Sequence, residues 1–177
     1  MKESVDPHAI VVSVKQILVS IDRSGYKEKI TGYAISLSKA WGADLTAIHV
    51  IEPTYALSAD GGEAESKEQA REKEARRQAE QLLNEIDILA KKEGMNIKKE
   101  AVRPSDLLAK KEGMNIKKEA LKKSDIVGKA IIDYAKENGI DIIVIGTKGM
   151  TAVEEYFFGS VANKVIHYAH CPVFAIR

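Results

Sequence analysis

Two hydrophobic rhythms alternate along the chain. Short, nearly unbroken runs of Val, Ile and Leu occupy residues 16–22 (QILVSID), 44–52 (DLTAIHVIE) and 140–146 (IDIIVIG). They lack the polar alternation of a half-exposed strand, so they predict strands covered on both faces of a parallel sheet. Residues 172–177 (PVFAIR) predict a last strand, and residues 115–121 (NIKKEAL) a further, weaker one. Between the runs the period changes to that of a helix. Ile30, Ala34, Leu37 and Trp41 recur at i, i+4, i+7 and i+11, followed by Gly42 as a C-cap. Ala75, Ala79, Leu82, Ile86 and Leu89 repeat the stripe ahead of Gly94. Ser124 can cap a helix carrying Ile126, Val127, Ala130, Ile131 and Tyr134, closed by Gly139. Val161, Val165, Tyr168 and Ala169 mark the last helix. This alternation predicts a doubly wound α/β fold, in which ligands bind beyond the carboxyl ends of the strands.

Two segments break the rhythm. Residues 60–77 are polar almost throughout, with i, i+4 pairs at Glu63–Lys67 and Glu72–Arg76. They read as a solvated helix or lid with few core contacts. Residues 89–101 (LAKKEGMNIKKEA) recur without change at 108–120, an offset of 19. Chance does not produce this, and two copies are too few for a solenoid. The repeat indicates a tandem duplication, natural or introduced during cloning. A slot for one helix–strand unit must therefore accommodate two. One copy can be looped out, or 102–114 can serve as a crossover that adds a sixth, edge strand. Pro104 argues against one continuous helix through the region.

Charge narrows the partners. In 177 residues, 27 Lys and Arg balance 26 Asp and Glu, a net charge of +1. That balance carries no electrostatic footprint for nucleic acid or anionic lipid. No apolar run approaches the ~18 residues of a membrane span, and residues 1–14 do not read as a signal peptide. Cys171 is the sole cysteine, so no intramolecular disulfide can form. A cytoplasmic protein is expected.

The candidate chemistry lies near the C-terminus. The strand at 140–146 runs into Ile145-Gly146-Thr147-Lys148-Gly149, and nine residues later Gly159-Ser160 open the last helix. This G-x2-G-x9-G-S pattern suits phosphate. Gly146 and Gly149 allow a sharp turn and close approach, and consecutive amides in such a turn form an anion nest. A helix N-terminus at Gly159-Ser160 presents unpaired N–H groups to an anion. The Ser160 hydroxyl can donate to a phosphate, and Lys148 adds charge. A P-loop, a dinucleotide fingerprint and a nucleophile elbow are all absent. Where a fingerprint would place glycines, the first strand ends in Ile21-Asp22-Arg23-Ser24-Gly25. The Asp22 carboxylate suits an adenine amino group, a ribose hydroxyl or an outer position around Mg²⁺.

ILVSID, AIHVIE and the last 38 residues, IDIIVIGTKGMTAVEEYFFGSVANKVIHYAHCPVFAIR, closely resemble universal stress proteins. The resemblance covers about three quarters of the chain, and the glycine spacing is similar to that of the ATP-binding subgroup. It implies a five-stranded parallel sheet in the order 3-2-1-4-5 with helices on both faces. To this the duplicated helix–strand unit is added, all within one domain over 1–177. It implies that Asp22 and Val50 flank the adenosine. It implies that Ile145, Gly146, Lys148 and Gly149 wrap the ribose and phosphates, and that Gly159, Ser160, Val161 and Ala162 close on the phosphates. It further implies ATP, with Mg²⁺, as the ligand and a homodimer paired through 173–177. Three features depart from the family: residues 1–14, the duplication, and Lys148 where histidine or arginine is common.

Plainer readings stand beside these. Gly146 and Gly149 can be turn glycines, Asp22 and Ser160 can be helix caps, and His49 can be a packed histidine. His167 and His170 lack converging metal ligands in the sequence. No catalytic group is assigned. The leading expectation is an ATP-binding regulatory protein with at most slow hydrolysis, since no arginine finger or water-positioning base is placed by motif. A nucleotide-dependent ATPase or transferase, and a nucleotide-free interaction module, are the alternatives.

Overall fold

The computed structural model of the chain describes residues 12–52, 63–109, 123–147 and 159–177. The elements run β1 (Gln16–Ser20), α1 (Lys27–Trp41), β2 (Asp44–Val50), α2 (Glu63–Lys92), β3 (Lys98–Val102), α3 (Pro104–Ala109), α4 (Lys123–Glu137), β4 (Ile142–Gly146), α5 (Ser160–Tyr168) and β5 (Val173–Ile176). The five described strands form one all-parallel sheet in the expected order 3-2-1-4-5.

The central strands explain why their sequence runs are unbroken. In β1, Ile17, Leu18 and Val19 are all 0% exposed. Ile17 and Val19 join Ile30, Ala34, Leu82 and Ile86 of α1 and α2 on one face. Leu18 joins Ile131, Tyr134, Ile143, Ile145 and Val165 on the other. Burying each such side chain contributes about 1.5–3 kcal/mol.

The third strand is not where the strand pattern at 115–121 placed it. The edge position beside β2 is held by the first copy of the repeat, with Lys98–Val102 paired to Thr46–Val50. Residues 115–121 lie outside the described residues. The first copy begins in the last turn of α2, whose Leu82, Leu83, Ile86 and Ala90 pack on the sheet. Gly94, at φ 75, turns the chain from helix to strand, and Met95 and Ile97 then pack against the same cluster.

The helix stripes match the buried faces in part. Gly42 does cap α1, at φ 63, with its N–H donated to the Ser38 carbonyl. The buried face, however, is Ile30, Thr31, Ala34, Ile35 and Ser38. Trp41 is 44% exposed and meets Phe174 of β5 edge-on, 6.3 Å between ring centroids. Tyr168, expected inside, is 70% exposed. In α2 the first buried side chain among those described is Ala79, so the polar stretch before it is a solvated helix. Its Glu72–Arg76 pair is present at 3.7 Å.

Candidate functional site

The carboxyl ends of β1, β2 and β4 finish level with one another. Ser20 is in register with Ile48 and with Ile145. Asp22, Val50 and Thr147, each two residues further on, therefore lie just past the same line. This is the end of a doubly wound sheet where ligands bind, and β1 and β4 are the strands between which the order reverses.

Asp22 is half-buried, and its Oδ1 accepts the Ser24 N–H at 3.0 Å. That closes a tight turn rather than a helix cap: α1 is capped at Tyr26 with no side-chain hydrogen bond. His49 of β2 reaches the chain just past β1, with its Nδ1 2.8 Å from the Ile21 carbonyl and so donating to it. Val50 is 5% exposed and belongs to the core with Ile145. Its main chain is the group it can offer. The Ile48 carbonyl accepts from Ile21 N–H, so the Val50 carbonyl, two residues on, faces the Asp22 side as well.

Gly146 is the last residue of β4 and pairs with Ile176. It lacks the positive φ of Gly42, Gly94 and Gly139. The sharp turn expected there is therefore not made at Gly146 itself. Lys148 and Gly149 lie outside the described residues. The far side of the motif is described, and it returns to the same place. Gly159 N–H donates to the Thr147 carbonyl at 2.7 Å, and Thr147 N–H donates to the Ile176 carbonyl at 2.8 Å. One backbone hydrogen bond thus holds the end of β4 against the start of α5.

At that start Gly159, not Ser160, is the N-cap, with φ −56 and ψ 147 and no side-chain hydrogen bond to the helix. Ser160 is the first helical residue and is exposed. Val161 is half-buried and Ala162 is 2% exposed, so Ala162 can offer only main chain. The amides of this first turn carry the partial positive charge of the helix dipole.

Two groups at this end escape sequence reasoning. Ser24 Oγ and Thr147 Oγ1, at residue exposures of 6% and 2%, are the buried polar side-chain atoms without a hydrogen-bond partner among the described residues. Buried hydroxyls without partners are uncommon and cost about 1–3 kcal/mol each. Their residues stand inside quoted motifs, but burial without a partner is a tertiary property. Arg103, just past β3, is also at this end, held by Glu72 at 2.5 Å and by Asp106 at 2.7 Å.

No group of three or more His, Cys, Asp or Glu able to hold a metal occurs among the described residues. His167 Nδ1 lies 2.8 Å from the Asn163 carbonyl of its own helix. Among the described residues no helix is long and apolar enough to cross a membrane.

Comparison with known proteins places this architecture. A universal stress protein of Methanocaldococcus jannaschii is 30% identical over 165 residues, covering 92% of this chain and 82% of its own. The solved universal stress protein UspA of Lactobacillus plantarum has the same fold, with TM-score 0.64 and 24% identity over 94% of this chain and 100% of its own. So does the universal stress protein of Archaeoglobus fulgidus solved in complex with dAMP, with TM-score 0.54 and 22% identity over 94% and 100% of the two chains. The family model described as "Universal stress protein family" matches residues 13–177, and the chain belongs to that family.

Proposed function

We propose that the protein binds an adenine nucleotide, ATP with Mg²⁺ in its working state, across the carboxyl ends of β1 and β4. It acts through nucleotide state and dimer contacts rather than rapid turnover. The observation that carries this reading is the unfinished polar chemistry at that end. Buried hydroxyls of Ser24 and Thr147 without partners and a helix N-terminus without a side-chain cap lie past the carboxyl ends of β1 and β4, as does Asp22. A ligand rich in hydroxyl and phosphate oxygens supplies what these groups lack. The dAMP bound by the Archaeoglobus relative supports the ligand class.

In this reading Asp22 and the Val50 main chain flank the adenosine. Ile145, Gly146, Lys148 and Gly149 wrap the ribose and phosphates. Gly159, Ser160, Val161 and Ala162 receive the phosphates, chiefly through amides at the start of α5. Asp22 would serve as an outer partner of a Mg²⁺ carried by the phosphates, and the ion would supply charge that offsets theirs beside this carboxylate. The bound nucleotide supplies charge and a transferable phosphoryl group, and the residues named here orient it. Any hydrolysis is slow. The homodimer pairs the outer edge of β5, where exposed Phe174 and Trp41 present an apolar rim.

Mass spectrometry of small molecules released from denatured protein, after saturation with ATP·Mg²⁺ and rapid removal of excess, tests the reading. About one adenine nucleotide per chain is expected, with ADP accumulating slowly. Protein that retains none under conditions where a nucleotide-binding control does would contradict it.

A further inference from the structure

The β3 slot makes few demands that only one copy of the repeat can meet. The strand ladder to Thr46–Val50 is main chain. Of the side chains, Met95 and Ile97 pack on the core, Ala101 is half-buried and Val102 is 3% exposed. Glu100 accepts from the Tyr134 hydroxyl at 2.8 Å, and burial followed by this carboxylate raises the Tyr134 pKa. Lys99 reaches Asn84 and Asp87 of α2, each at 2.9 Å. The residues 19 positions later are Met114, Ile116, Ala120, Leu121, Glu119 and Lys118. Every one is identical except Leu121, which replaces Val102 and adds one methylene. The exit joint repeats too. The first copy leaves its strand through Arg103 alone and enters α3 at Pro104-Ser105-Asp106. The second would leave through Lys122 alone and enter α4 at Lys123-Ser124-Asp125.

We propose that the two copies exchange in one strand slot, so that residues 117–121 can replace Lys98–Val102 beside β2. The rest of the sheet keeps its order. In the arrangement described, 20 residues (103–122), α3 among them, separate β3 from α4 along the chain. After exchange Lys122 alone makes that joint, and the surplus chain enters before the strand, between Lys92 and residue 117. Nineteen residues therefore pass from the connection leaving the carboxyl end of the strand, the end that holds the candidate site, to the connection entering its amino end. The exchange itself does not depend on the nucleotide reading. Only its consequence for that site does.

Val102→Asp and Leu121→Asp, singly and together in the full chain, test the exchange, because an aspartate at the buried position bars a copy from the slot. Thermal unfolding and cross-strand NOEs from His49 and Val50 give the readouts. Val102→Asp is expected to stay folded, with NOEs moved from Ala101 and Val102 to Ala120 and residue 121. Leu121→Asp is expected to keep the original NOEs. The double variant is expected to unfold, its midpoint falling by more than the two single losses added together. A Val102→Asp protein as unfolded as the double, or folded with the original NOEs, overturns the proposal. A chain lacking 102–120, which joins Ala101 to Leu121, is expected to fold with the same β2 contacts. Its failure to fold would show that the second joint does not fit the slot, and would overturn the proposal independently.

Discussion

The two ends of the sheet are finished differently. At the amino ends the entry into β1 is stitched from both sides. Asp141 accepts the Lys15 and Gln16 N–H groups at 2.7 and 2.9 Å, and its own N–H donates to the Gln16 carbonyl. Asp44 N–H donates to the Lys15 carbonyl, and Gln16 reaches the Asp44 carboxylate. At the carboxyl ends Ser24 and Thr147 keep buried hydroxyls unpartnered, and α5 starts on an uncapped glycine. One end is complete within the chain, and the other is completed by a ligand in the function proposed here.

The largest effect is expected where the ligand meets the main chain. Gly159→Val should abolish ATP binding in a titration while leaving the circular dichroism spectrum unchanged. The φ and ψ at Gly159 are open to valine, so the side chain blocks the phosphates rather than the fold. Gly149→Val should do the same. Unchanged affinity in either variant would remove that residue from the site.

At the finished end the loss should fall on stability alone. Asp141→Ala should cost about 2 kcal/mol in denaturant unfolding, the scale of hydrogen bonds to a charged group, with nucleotide affinity unaltered. The N–H donors of Lys15 and Gln16 hold the Asp141 carboxyl below its ordinary range. The stability it contributes is thus present above the ordinary carboxylate pKa and lost as pH falls through the lowered one. Acid titration of unfolding in wild type and variant should converge at low pH. Curves that stay parallel down through the acid range would contradict the assignment.

How far the sequence reached follows the same division. β1, β2 and β4 are legible because burial on both faces leaves unbroken apolar runs, and Gly42 is legible because a helix end needs a left-handed residue there. The third strand is not, because NIKKEA occurs twice and only the packing of α2 ahead of the first copy distinguishes them. Trp41 and Tyr168 fit helical stripes but are the last residues of α1 and α5, and both stay exposed. In the candidate site, glycine and serine spacing pointed to the β4–α5 junction. The Thr147–Gly159 hydrogen bond and the orphaned hydroxyls emerge only from the folded chain.

Smaller effects sharpen the contrast. Ser160→Ala should weaken ATP binding by about 1–2 kcal/mol without shifting the unfolding midpoint of the ligand-free protein. A midpoint shift with unchanged affinity would make Ser160 structural. Thr147→Val should act in two directions. Replacing an unpartnered buried hydroxyl by a methyl should stabilise the ligand-free protein by about 1 kcal/mol and weaken nucleotide binding by a similar amount. Destabilisation of the ligand-free protein would show that Thr147 already has a partner.

Calorimetric titration of the full chain with ATP·Mg²⁺ tests the central claim most directly. The account predicts saturable binding at one site per chain with a dissociation constant below the millimolar range. No binding up to millimolar ATP, ADP or AMP would contradict it and leave the β4–α5 junction a structural turn.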